Sequence, residues 1–170
     1  MDVTSIYTNI PHDDGIAACR KIWEQRTVQE LPTECLVEML TLVLKYNNFP
    51  FDGNHYLQIN GTAMGTKMAL SYANIFMGDL EEQLLLSSLK QPLSWFRFID
   101  DVDMKWIHSD KELDEFFEHA NRIHPSIKFT HEVSKTKLSF LDTTPTVKEG
   151  NMTTDLYSQP TDKIVELCPK

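Results

Sequence analysis

Apolar and polar positions recur along this chain with two different periods, and the changes of period mark its elements. The opening "DVTSIYTNI" is rich in β-branched and aromatic residues and ends at Pro11, which predicts a strand. From His12 to about Arg26 the spacing is helical. Asp13 and Asp14 suit the positive end of the dipole, and Ile16, Cys19, Ile22 and Trp23 form one stripe. A second helix is expected from about Thr33 to Tyr46, with Leu36, Val37, Leu40, Val43 and Leu44 as its apolar face. "NNFPFDGNHYLQI" predicts a hairpin around Asp52-Gly53, because that dipeptide tolerates the positive φ of tight hairpin turns.

A Gly-rich loop, "GTAMGT", then leads into a long helix expected from about Lys67 to Lys90. The stretch "WFRFIDDVDMKWIH" has two strand-like runs with Asp100 and Asp101 side by side between them. Ser109 and Glu112 form a capping box that opens a helix with Leu113, Phe116, Phe117, Ala120 and Ile123 inward, and Pro125 stops it. "SIKFTHEV", "KLSFLDTTPTV" and "NMTTDLY" read as three strands, the last two joined by a turn at Lys148–Asn151. Without repeats or a linker, this order predicts a single α+β domain over residues 1–170, a small, largely antiparallel sheet backed by helices.

Composition narrows the class. A hydrophobic content of 41% with 24% charged residues is that of an ordinary globular protein with a real core. There is no apolar run long enough for a membrane span, and the start lacks the basic and apolar regions of a signal peptide. The three cysteines, Cys19, Cys35 and Cys168, are odd in number and widely spaced. That argues against a disulfide framework or a cysteine zinc site and suits a reducing, intracellular location, nuclear or cytoplasmic. Without a secretory signal, the N-x-T triplets at Asn60 and Asn151 read as chance. The formal net charge of −9 counts against nucleic-acid binding, which needs Lys and Arg on phosphates. A strand expected to start at residue 2 suggests a chain cut from something longer.

Asp100 and Asp101 are the first candidate for chemistry. Adjacent carboxylates repel, and a two-residue hairpin turn favours Gly, which is absent here. Such a pair persists most readily where a cation neutralises it, and Mg²⁺ takes hard oxygen ligands. The residues alone leave a cation site and a plain turn equally open. Two-metal chemistry also needs a further carboxylate from another strand, for which Asp2 is the candidate.

Three blocks in order carry a resemblance. "DVTSIYTNIPHDDGI", "GTAMGTKMALSYANIFM" and "FRFIDDVDMKW" resemble the catalytic blocks of reverse transcriptase palms, most closely those of Penelope-like retroelements. The likeness continues through "HPSIKFT", "LSFLDTT" and "TDLYSQPTD". It implies the palm of an RNA-directed DNA polymerase in which Asp2, Asp100 and Asp101 hold two Mg²⁺ ions, with Mn²⁺ able to substitute. Its partners would be an RNA template, a DNA primer and a deoxynucleoside triphosphate. Tyr7, five residues after Asp2, would exclude a ribose 2′-hydroxyl, with an aromatic core residue in a strand as the lesser alternative. Met64 and Gly65 would lie against the nucleotide, and Gly61 and Gly65 would let backbone approach a base pair. Lys67 and Lys128 are weaker candidates for phosphate contact and for a general acid; solvated lysines account for both. The segment from "KLSFLDTT" to "TTDLY" would grip the primer.

The sequence departs from the pattern at Phe98, Leu70, Asp103 and Lys105. The basic fingers, the thumb and the GIY-YIG endonuclease of such elements have no counterpart, so a palm-only fragment is expected. An inactive palm remnant serving as an interaction module would carry the same motifs. A glycosyltransferase D-x-D reading of Asp101-Val102-Asp103 leaves Asp2 and the Gly-rich block unexplained. "LDTT" at Asp142 lacks the Gly an aspartic protease needs, and His119 and His124 do not share a helix face.

Overall fold

A computed structural model describes residues 1–148 and 151–157. These fall into two compact units, Met1–Thr130 and the segment from His131 onward, each taken by itself. The expected α+β class holds: helices accompany small antiparallel sheets. Among the described residues, no helix is long and apolar enough to cross a membrane.

The first unit is built on a four-stranded sheet of order β4-β5-β1-β6, with β1 at Asp2–Val3, β4 at Ser94–Phe98, β5 at Asp101–Lys105 and β6 at Phe129–Thr130. Every pairing is antiparallel. A separate hairpin joins β2, Asn48–Phe51, to β3, Asn54–Leu57. Its turn residues Asp52 and Gly53 both have positive φ, 48° and 74°, as the dipeptide predicts.

The opening segment departs from expectation. The strand ends at Val3, Ser5 turns left-handed at φ 50°, and Ile6–Asn9 forms a short helix, α1. Side chains stabilise that turn: Thr8 donates to the Ser5 carbonyl and Asn9 to the Thr4 carbonyl. Such Ser, Thr and Asn bonds compete with a strand ladder, so β propensity is overridden locally. Ile6 and Ile10 reach the core only because the chain bends here.

Helix α2 (His12–Glu24) buries His12, Gly15, Ala18 and Cys19, whereas Ile22 is 45% exposed. Of the expected stripe, Cys19 is buried and Ile16 and Trp23 pack partly buried on the core, so only Ile22 falls outside it and the inward face extends toward Gly15 and Ala18. The cause is Gly15: the Tyr72 ring lies where its Cβ would be, so small residues face the neighbouring helix. That neighbour is α4 (Ala69–Ser87), which places Tyr72, Ala73, Phe76, Met77, Leu80 and Leu84 in the core. Helix α3 (Thr33–Lys45) buries Val37, Leu40 and Leu44 and leaves Val43 exposed. Helix α5 (Asp110–Ile123) opens with the expected capping box: Glu112 N–H donates to Ser109 Oγ, and Ser109 N–H donates to Glu112. It buries Leu113, Phe116, Phe117 and Ala120. Phe116 meets Trp95 and Trp106 at ring-centroid distances of 6.1 and 5.3 Å, so α5 backs the β4–β5 hairpin. Each such buried apolar side chain contributes about 1.5–3 kcal/mol.

In the second unit, β7 (Thr143–Lys148) pairs antiparallel with β8 (Asn151–Leu156). Two residues of the expected turn, 149 and 150, lie outside the described residues, as do Cys168 and the end of "TDLYSQPTD".

Candidate site at the sheet edge

The β4–β5 hairpin has a two-residue loop. Phe98 pairs with Asp101, leaving Ile99 and Asp100 as its central residues. The positive φ such a loop requires falls on Ile99, at 58°. A β-branched residue there is an outlier costing roughly 1–3 kcal/mol. Asp100 thus sits at the loop's second position, and Asp101 is the first residue of β5.

Strand β1 brings Asp2 to the same place, directly opposite Asp101. Val3 N–H donates to the Asp100 carbonyl at 3.0 Å, and Val102 N–H donates to the Met1 carbonyl at 2.7 Å. These bonds flank the Asp2–Asp101 pair and leave it non-hydrogen-bonded. In antiparallel ladders that is the close type of pair, with Cα atoms about 4.5 Å apart. Directly opposed residues also point to one face. Asp2, Asp101, Asp103, Phe96 and Phe98 therefore share a face, and Phe96 and Phe98 are 63% and 55% exposed. On the other face, Val3 and Val102 are buried against the helices.

The electrostatics follow from this register. The Asp2 carboxyl is held above its ordinary range, first by partial desolvation and then by the charges of Asp100 and Asp101. Three carboxylates thus feel one another at a single edge. Their hard oxygens match what Mg²⁺ takes, and the backbone register sets two of them face to face. They do not form a closed cage: among the described residues, no group of three or more His, Cys, Asp or Glu is gathered to hold a metal ion. The donor chemistry fits a divalent cation, and the side chains stand apart.

The other predicted residues lie on three further segments: α1, the Gly-rich loop and the residues before β6. Tyr7 is on α1, half-buried against the core, and not on a strand. Its carbonyl accepts from Thr62 N–H at 2.7 Å, which ties α1 to the Gly-rich loop. His12 Nε2 lies 2.8 Å from the Gly61 carbonyl and fixes the same loop from α2. Gly61, at φ 70°, has no room for a Cβ, because the Tyr7 carbonyl and the Thr8 backbone occupy that space. Its glycine therefore serves close packing on α1. Gly65, at φ 89°, faces open space, and Met64 is 71% exposed. Lys128 donates to the Asn121 carbonyl at 2.8 Å, in the last turn of α5.

Sequence reasoning missed the support beneath the paired aspartates. Arg97, inward on β4, donates from Nε to Glu81 and from Nη1 to both Asn74 Oδ1 and the Ile99 carbonyl. Trp95 Nε1 donates to the same Glu81 oxygen. The available signal was a lone cation two residues after Trp95 in an aromatic strand, which alternation places on the buried face. No protein-family model matches the chain, and no curated protein matches it.

Proposed function

We propose that the chain is the palm of an RNA-directed DNA polymerase similar to those of Penelope-like retroelements. In this reading Asp2, Asp100 and Asp101 are its metal-binding carboxylates. The observation that carries the reading is the register that sets Asp2 opposite Asp101 in the close type of pair, beside the loop bearing Asp100. Like charges directly opposite are destabilising, so packing alone gives no reason to assemble them. The strained Ile99 beside them supports the same conclusion, since such outliers concentrate at functional sites.

Bound Mg²⁺ supplies activation of a primer 3′-hydroxyl and neutralisation of the triphosphate. The chain supplies position. Asp2 and Asp101 offer oxygens from facing strands, Asp100 offers one from the loop, and the helices behind the sheet fix all three. Tyr7 bounds the nucleotide on its sugar side, with Met64 and Gly65 on the exposed loop against it. Template RNA, DNA primer and a deoxynucleoside triphosphate are the ligands this arrangement serves.

Calorimetric titration with Mn²⁺ tests the reading on the parent chain, Asp2→Asn and Asp100→Asn. Both substitutions are expected to weaken one and the same binding event at least tenfold. A parent that binds no Mn²⁺, or an Asp2→Asn variant with parental affinity, overturns the reading in favour of an inactive remnant.

A further inference from the structure

The least expected feature of this edge is how the Ile99 turn is held. Arg97 and Glu81 form an ion pair at 2.8 Å with side chains only 13% and 15% exposed. Asn74 and Glu81 lie seven residues apart on α4, about two helical turns, and so meet the guanidinium from adjacent levels. Arg97 Nη1 has two hydrogens, and both are used: one goes to Asn74 Oδ1 at 2.7 Å and one to the Ile99 carbonyl at 3.0 Å. Nη2 adds a bond to the Asn74 carbonyl at 3.4 Å. The planar fork is thus anchored on the helix by three bonds and grips the strained turn with a fourth.

We infer that Arg97 is a positioning residue: it clamps the left-handed Ile99 turn through the Ile99 carbonyl and so aims Asp100 and Asp101 at the metal site. The inference deepens the polymerase reading and rests on it for the metal. The clamp compensates for strain in the turn. Isoleucine at φ 58° favours relaxation toward an extended conformation, which would swing the next two residues off the edge. A bond to the carbonyl of that same residue, from a group fixed to α4, opposes the swing. Lysine cannot replace it, because one ammonium head cannot serve Glu81, Asn74 and Ile99 with a fork's geometry.

The test uses the full chain in four forms: parent, Arg97→Gln, Ile99→Gly and the double variant. Glycine accepts the left-handed conformation without strain and is favoured at the first position of such a turn, so it removes the need for a clamp. Arg97→Gln is expected to weaken Mn²⁺ binding about tenfold, and adding Ile99→Gly to restore it to within about threefold of the parent. Because Arg97→Gln leaves Glu81 without its counter-charge, Arg97→Lys serves in the same cycle if the first variant fails to fold. Parental affinity in the single Arg97 variant, or no recovery in the double, overturns the inference. A merely structural arginine would not have its metal affinity rescued at residue 99. If the parent itself binds no Mn²⁺, the polymerase reading fails and urea denaturation of the same four proteins decides the clamp. A smaller loss from Arg97→Gln in the Ile99→Gly background upholds it, and strict additivity sinks it.

Discussion

Replacing Asp2 by asparagine should make this protein more stable while removing its proposed chemistry. Asp2 stands in the close, non-hydrogen-bonded pair with Asp101, and Asp100 adds a further like charge beside it. Opposed like charges on a ladder destabilise by roughly 0.2–1 kcal/mol, and asparagine keeps the shape while deleting one of them. For a chain of 170 residues that gain raises the melting temperature by about 0.4–4 °C. The pH dependence has a definite sign. Folded Asp2 holds its proton more tightly than the unfolded chain, so parental stability falls as pH rises from the ordinary value of 3.8 through the raised one. The advantage of Asp2→Asn is therefore fully present at pH 7 and fades as pH falls toward 3.8. Urea or thermal denaturation from pH 7 to pH 4 without divalent cations measures it. Mn²⁺ at about a hundredfold the parental dissociation constant then reverses the order, stabilising the parent by about 2.7 kcal/mol and the variant, bound at least tenfold more weakly, by at most about 1.4 kcal/mol. If Asp2→Asn is less stable than the parent at pH 7, or the difference ignores pH, the charges do not oppose one another and the site argument fails.

Three further substitutions probe the framework. Gly61→Ala combines a left-handed backbone with a collision against Tyr7 and Thr8, and is expected to destabilise by about 3 kcal/mol; Gly65→Ala meets only open space and should lose about 1 kcal/mol. Equal midpoints for these two variants in urea would contradict the close approach of the loop to α1. Ser109→Ala removes both Oγ bonds of the capping box, and a loss of about 1 kcal/mol in the same assay is expected, with none pointing to a cap formed by Glu112 alone.

What the sequence made legible follows the range of the forces involved. The capping box at Ser109, the Asp52-Gly53 turn and the spans of the four long helices are set by residues within a few positions of one another, and they stand where expected within a few residues. On α2, Ile22 lies outside the core while Gly15 lies inside it, because Tyr72 packs on Gly15, a contact between residues 57 positions apart that no local pattern contains. The opening strand was overextended because β propensity at Ile6 and Tyr7 gave way to the bend at Ser5. At the site, adjacent Asp100 and Asp101 were visible as a violation of turn chemistry. The pairing of Asp2 with Asp101 depends on β1 lying between β5 and β6, which hydrophobic alternation over two residues cannot specify. The role of Arg97 is not local either, since its partner Glu81 lies 16 positions earlier on a helix.

Two local rules are broken at one edge, and in the same direction. Core packing alone would favour glycine at residue 99 and a neutral, β-forming residue at residue 2; the chain has isoleucine and aspartate instead. Neither choice stabilises the sheet, and both are held by structure outside the loop. Arg97 is locked to Asn74 and Glu81, Trp95 shares Glu81 and rests on Phe116, and Val3 and Val102 are sealed beneath the carboxylates. The β2–β3 turn has no buried arginine on it: Asp52-Gly53 takes the positive φ, and an exposed bond from Asn54 to the Asp52 carbonyl is its side-chain support. Of the two hairpins of one unit, one places Asp-Gly at its left-handed positions and the other an isoleucine held by a buried arginine, and only the second breaks the local rule for such a turn.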